Sequence, residues 1–149
     1  MLLALEEIFL TFYVKLLSFF KLNYGFKMNQ LKFGIAGYGK MGKIREKSIV
    51  ESNDTCVVAI YDIANYKNNS KSIIYCKSYK ELLESDIDAV IVSAFVSVAA
   101  EYVILALKAG KHVFCEKPPS MSSEQMLKVI EAEKKSGKIL KYGFNHSFH

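Results

Sequence analysis

Two charged side chains close an apolar run in Gly110-Lys-His-Val-Phe-Cys-Glu-Lys-Pro-Pro119, and they are the first candidates for chemistry in this 149-residue chain. Val113, Phe114 and Cys115 form the short apolar stretch of a central parallel strand covered on both faces. Glu116 and Lys117 then fall at its carboxyl end, with Pro118 and Pro119 fixing the turn that presents them. Ligands of open doubly wound sheets bind beyond the carboxyl ends of the strands, so both charges face a ligand more readily than bulk water.

A second candidate precedes them. Gly37-Tyr38-Gly39-Lys40-Met41-Gly42 fits the pattern G-x-G-x-x-G, follows an apolar strand and opens a helix. In that context the first glycine makes a tight turn, the second admits a pyrophosphate against bare backbone, and the third lets the helix pack on the strand. The helix N-terminus adds free N–H groups and the positive end of its dipole. Asp62 stands twenty residues past Gly42, directly after the next strand, where a carboxylate accepts hydrogen bonds from ribose hydroxyls. A carboxylate there repels a 2′-phosphate and no arginine adjoins it, which favours NAD over NADP. Alternatively, the glycines only make a strand-to-helix turn and Asp62 is a solvated loop acid. A dinucleotide loop paired with a lysine at a strand mouth points to nicotinamide redox chemistry.

Positioning these residues requires an alternation of strand and helix with short links, the signature of a parallel α/β sheet. Strands are expected at Leu31 to Ala36, Cys56 to Tyr61, near Ile73 to Tyr75, at Ala89 to Ala94, His112 to Cys115 and Lys138 to Phe144. Helices are expected at about Lys40 to Glu51, at Tyr79 to Glu84, from a Ser97 cap to Ala109, and after the Ser122-Ser-Glu-Gln125 capping box. That last helix carries Met126, Leu127 and Ile130 on one face and is ended by Gly137. Residues 65–71 read as irregular. Six strands with right-handed crossovers give a doubly wound parallel sheet in the order 3-2-1-4-5-6.

Length and composition set limits. At 51% hydrophobic the chain can build one ordinary core. A net charge of +5 without arginine clusters or an aromatic ladder argues against nucleic acid. Cys56, Cys76 and Cys115 are odd in number and lack metal spacing, so no metal is expected and reduced thiols in the cytoplasm are. Residues 1–27 differ from the rest: Leu2 to Phe20 is rich in Leu, Phe and Ile, but Glu6, Glu7 and Lys15 interrupt the run, making it a poor membrane span and no signal peptide. The segment reads as an accessory amphipathic helix, a weak membrane-surface segment, or sequence upstream of a start at Met28. The compact first strand after Met28 favours the last. The expected domain is then 28–149.

The glycine loop, Asp62, Ala109-Gly-Lys-His-Val-Phe-Cys-Glu-Lys-Pro118 and Tyr142-Gly-Phe-Asn-His146 together resemble the Gfo/Idh/MocA oxidoreductase family over about Lys32 to His149. The resemblance implies a Rossmann domain binding NAD(P), followed in the family by an α/β substrate domain. It implies oxidation or reduction of a hydroxyl or carbonyl on a sugar, nucleotide sugar or cyclitol. By the same resemblance Lys117, an amine partly buried beside the cofactor, is the catalytic proton-transfer residue. Glu116 orients the site and contacts cofactor or loop backbone, the Lys117-Pro118 bond is cis, Asn145 touches substrate, and His146 either touches substrate or caps the last strand.

Departures accompany the matches. The family's Thr-Pro-Asn after strand four is replaced by Ala94-Phe-Val96, and Ser147 occupies a usual arginine position. His149 falls near where the second domain would begin, so little turnover is expected of this chain alone. It reads as the cofactor half of an oxidoreductase, either a truncated gene product or one part of a split enzyme whose partner chain supplies the substrate domain; association with a partner chain or as a homo-oligomer is expected. The alternatives are a non-catalytic NAD-binding or interaction module, and a decayed fragment.

Overall fold

The computed structural model describes Phe12, Leu16 and residues 30–64 and 72–143. Among these, six strands form one parallel sheet in the order β3-β2-β1-β4-β5-β6, the order expected from the crossover rule. They are β1 (Leu31–Ala36), β2 (Thr55–Tyr61), β3 (Ile74–Cys76), β4 (Ala89–Val92), β5 (His112–Cys115) and β6 (Leu140–Tyr142). The helices are α1 (Lys40–Val50), α2 (Tyr79–Glu84), α3 (Val96–Lys108) and α4 (Ser123–Ser136).

Right-handed crossovers divide the helices between the faces. The chain steps one way across the sheet from β1 to β2 and the other way from β4 through β5 to β6, so the connecting helices fall on opposite sides. Strand periodicity then sorts the core into two clusters. Val90, Val92, Val113 and Cys115 face α2, α3 and α4, where Leu82, Val103, Leu107 and Val129 are buried with them. Phe33, Ile35, Ile91 and Phe114 face the side of α1, where Ile49 joins them. Phe12 and Leu16, both helical and fully buried, belong to this second cluster, and the Phe12 ring lies 5.7 Å from that of Phe114.

Side-chain caps set two of the helix starts. Ser78 Oγ accepts from the Glu81 N–H at 3.1 Å while Glu81 Oε2 accepts from the Lys77 N–H at 2.7 Å. Ser122 and Gln125 repeat the pattern at α4, as its capping box predicts, and Gly137 ends that helix at φ +64°.

Several expectations need correction. Leu127 and Ile130 are exposed, because Val129 and Ala132 take the inward positions of α4. β4 stops at Val92 and β6 covers only Leu140–Tyr142, while β3 lies one residue later than expected. The stretch 65–71 and residues 144–149, with Asn145 and His146, fall outside the described residues. Among the described residues no helix is long and apolar enough to cross a membrane.

His112 opens β5 and is buried, with Nδ1 accepting from the Ile139 N–H at 3.1 Å. Burial, helped by the nearby Lys138 charge, pushes its pKa down from 6.5 to about 4. The fold therefore favours the neutral ring, and stability is lost as the pH falls through this window because the unfolded chain takes up the proton first. Urea unfolding should show a loss of roughly 3 kcal/mol between neutral pH and pH near 4 that His112→Asn lacks. An identical pH dependence in both proteins would exclude the histidine as its source. In the second cluster, Phe12→Ala should cost about 3 kcal/mol in the same assay. An unchanged urea midpoint would mean that residues before Met28 contribute nothing to the core.

Candidate functional site

Three segments meet at the carboxyl edge of the sheet more closely than side chains would permit. The chain leaves β1 and turns at Gly37 with φ +89°, where a Cβ would stand 2.6 Å from the backbone of Ser93 and Ala94 just past β4. Gly42 presses on the same turn, since a Cβ there would lie 2.2 Å from the Gly37 carbonyl oxygen. The Gly37 N–H donates to Tyr61 O at the end of β2 (2.8 Å), and Ser93 Oγ donates to Gly37 O (2.6 Å). Gly39 differs from both. A Cβ at this position would meet no described atom within 4 Å, so its surface is bare backbone facing open space.

That space lies over the N-terminus of α1. Gly39 is the N-cap, no side chain caps the helix, and its first turn holds no acidic residue. The N–H groups of Lys40, Met41 and Gly42 precede the first intrahelical acceptor, so the positive end of the helix is left for an external anion. Tyr38 contributes its backbone to the loop. Its ring is buried in the second cluster and its hydroxyl donates to Glu46 Oε2, so only its backbone faces the loop. Burial first, and Glu46 second, push this phenol's pKa up.

The Tyr38 N–H donates to Asp62 Oδ2 at 2.5 Å, and the Ala64 N–H to Asp62 Oδ1 at 2.7 Å. These two bonds aim the carboxylate at the glycine loop and leave further lone pairs for a ligand's hydroxyls. Gly37, Gly39 and Asp62 share a cleft of about 610 Å³ with Ile63, Phe95 and Ser97. Ile63 is 68% exposed and Phe95 73%, apolar surface that a flat aromatic base would cover. Ser97 is not the N-cap of α3; Phe95 is, and Ser97 lies in the first turn. α3 thus brings a second helix start without a side-chain cap to the cleft.

Lys117 stands at the end of β5, one strand beyond β4 on the same edge, and does not line this cleft. It is exposed, so the partial burial anticipated for it is absent from the described structure. The Lys117-Pro118 bond is cis. Glu116 is buried and turns away from the cleft toward Arg45 on α1, whose Nε lies 2.7 Å from Glu116 Oε1. Arg45 escaped notice in the sequence, although it shares the 42/45/49 buried stripe of α1, where a charge needs a partner.

The family model described as "Oxidoreductase family, NAD-binding Rossmann fold" (Gfo/Idh/MocA) matches residues 31–144. Among curated proteins, a myo-inositol 2-dehydrogenase of Thermotoga maritima is 35% identical over 124 residues, covering 79% of this chain and 37% of the relative. An inositol 2-dehydrogenase of Klebsiella pneumoniae is 36% identical over 125 residues, covering 76% and 36%. The crystal structure of a probable dehydrogenase from Thermotoga maritima superposes with a TM-score of 0.68 at 30% identity, covering 79% and 37%. The chain spans a little over a third of the length of these proteins.

Thermal or urea unfolding should separate the glycines. Gly42→Ala, which drives a methyl into backbone, should destabilise by about 3 kcal/mol, and Gly39→Ala by less than about 0.5 kcal/mol. Equal losses would contradict the close packing assigned to Gly42 and the open face assigned to Gly39.

Proposed function

The chain belongs to the Gfo/Idh/MocA oxidoreductase family, whose matched domain is an NAD-binding Rossmann fold, and from that premise we propose that it binds NAD(H) as the cofactor half of a polyol or cyclitol dehydrogenase. The observation that carries this function is the bare face of Gly39 beneath an uncapped helix start, with the Asp62 carboxylate aimed at the same space. No other residue type at position 39 would leave room for a pyrophosphate to touch backbone.

Each part of the edge has a distinct task. The N–H groups of Lys40, Met41 and Gly42 neutralise the phosphate charges through the dipole of α1. Asp62 accepts from the adenosine ribose hydroxyls, and its charge excludes a 2′-phosphate, favouring NAD(H) over NADP(H). Ile63 and Phe95 cover the base at one end. From there the sheet order leads across β1 and β4 to β5, so the opposite end of an extended ligand meets Lys117. When bound, the nicotinamide supplies hydride acceptor and donor chemistry. Lys117 would hydrogen-bond the reacting oxygen and hold its proton. The inositol dehydrogenase relatives favour a cyclitol, or a sugar of similar hydroxyl pattern, as the substrate class. Walls that hold such a substrate and exclude water would come from a further domain or a partner chain, and Asn145 and His146 would lie at that junction. Free Cys56, Cys76 and Cys115 fit a reducing cytoplasm.

Calorimetric titration of NADH and NADPH into the full chain tests this function. NADH should bind more tightly, and Asp62→Ala should weaken it by about tenfold while narrowing the preference. Equal affinity for both cofactors in the parent would remove Asp62 from ribose recognition, and no binding by folded protein would overturn the cofactor assignment.

A further inference from the structure

The chain holds nineteen lysines and a single arginine, and that arginine is fully buried. Arg45 projects from α1 across the second core cluster, its guanidinium 4.9 Å from the centroid of the Phe114 ring. Nε and Nη2 each lie 2.7 Å from Glu116 Oε1. The other carboxylate oxygen fills the place where a side chain on Gly143 would begin, since a Cβ there would stand 2.9 Å from Glu116 Oε2. A lysine could supply the charge but not a planar fork that stacks on an aromatic ring and presents two donors to one carboxylate.

Such a pair is an inefficient way to stabilise a core. Desolvating both ions costs about as much as their attraction returns, and apolar pairs of similar volume are often no worse. What the pair does provide is a fixed direction. Glu116 is the last residue before Lys117, and its N–H donates to Val92 O (2.8 Å) while the Gly143 N–H donates to Cys115 O (2.9 Å). The chain leaving β5 is therefore held by β4, by β6 and by a charge reaching over from α1. The glycine loop has a separate support in Gly37, Gly42 and Ser93.

We propose that Arg45, through Glu116, is a positioning residue that holds the β5 exit and Lys117 in register with the nicotinamide half of the cofactor, while the adenosine and pyrophosphate half is held independently. This rests on the cofactor assignment above. Glu116 is then neither a cofactor ligand nor a proton carrier; its carboxylate is spent on the arginine.

The test compares NADH with ADP-ribose, which lacks the nicotinamide ring, in the parent chain, in Arg45→Lys and in the apolar double variant Arg45→Met/Glu116→Met. Urea unfolding of each protein runs alongside, and the double variant keeps the test open should Arg45→Lys fail to fold. In the parent, NADH should bind more tightly than ADP-ribose, and the emission of its reduced ring should rise on binding. In the double variant the NADH advantage should shrink by about fivefold, and the emission change should fade, while ADP-ribose affinity and urea midpoint stay close to the parent's. Parallel loss of both ligands, or retention of the full NADH advantage and emission change, would overturn the positioning role and leave the cofactor assignment standing. A folded parent that binds neither ligand would overturn the cofactor assignment, and the positioning role with it.

Discussion

Everything at the carboxyl edge depends on the contact between Gly37, Gly42 and the backbone of Ser93 and Ala94. Two absent side chains let β1, the start of α1 and the end of β4 converge to distances that a methyl group would forbid. That convergence aims the axis of α1 over Gly39 and places the Tyr38 N–H where Asp62 accepts it. The glycine loop and Asp62 are therefore parts of one hydrogen-bonded unit, tied to β2 through the Gly37 N–H and to β4 through the Ser93 hydroxyl. Steric necessity and ligand access are divided between neighbouring glycines of the same loop.

The opposite end of the edge is held by different means. Where the glycine loop uses close backbone packing, the exit of β5 uses a buried ion pair, an arginine stacked on Phe114 and a glycine at 143 that yields space to the carboxylate. Phe114 serves both sides of that arrangement, because the Phe12 ring packs on it as well. The second core cluster thus carries the support for the exit of β5. The first cluster fixes the sheet against α2, α3 and α4.

Much of this is legible in the amino-acid sequence. Strand order followed from the alternation of elements and the handedness of crossovers, and the caps at Ser122 and Gly137 followed from local hydrogen-bond chemistry that needs no tertiary contact. What was not legible depended on neighbours distant in sequence. Tyr38 lies within the glycine loop, and nothing local to it shows that the second cluster captures its ring. Leu127 and Ile130 fit a helical apolar face, but α4 turns a narrower stripe inward, against α3 and the sheet. Ser97 has the chemistry of a cap and sits two residues too late for it. Arg45 gives no local sign of its partner, which lies 71 residues away. The 3.6-residue spacing from Gly42 to Ile49 was the one local sign that it faces inward.

The most direct test of a dinucleotide site along this edge is an amide nitrogen–proton NMR titration of the full chain with NADH. Shifts should concentrate at Gly39 to Gly42, Asp62 to Ala64 and Phe95 to Val98, with the Lys117 turn responding as well. The amino-end residues Lys32, Asp86 and Asp88 should stay unmoved. Shifts spread over the amino ends of the strands, or absent from Gly39 to Gly42 at saturating NADH, would contradict it.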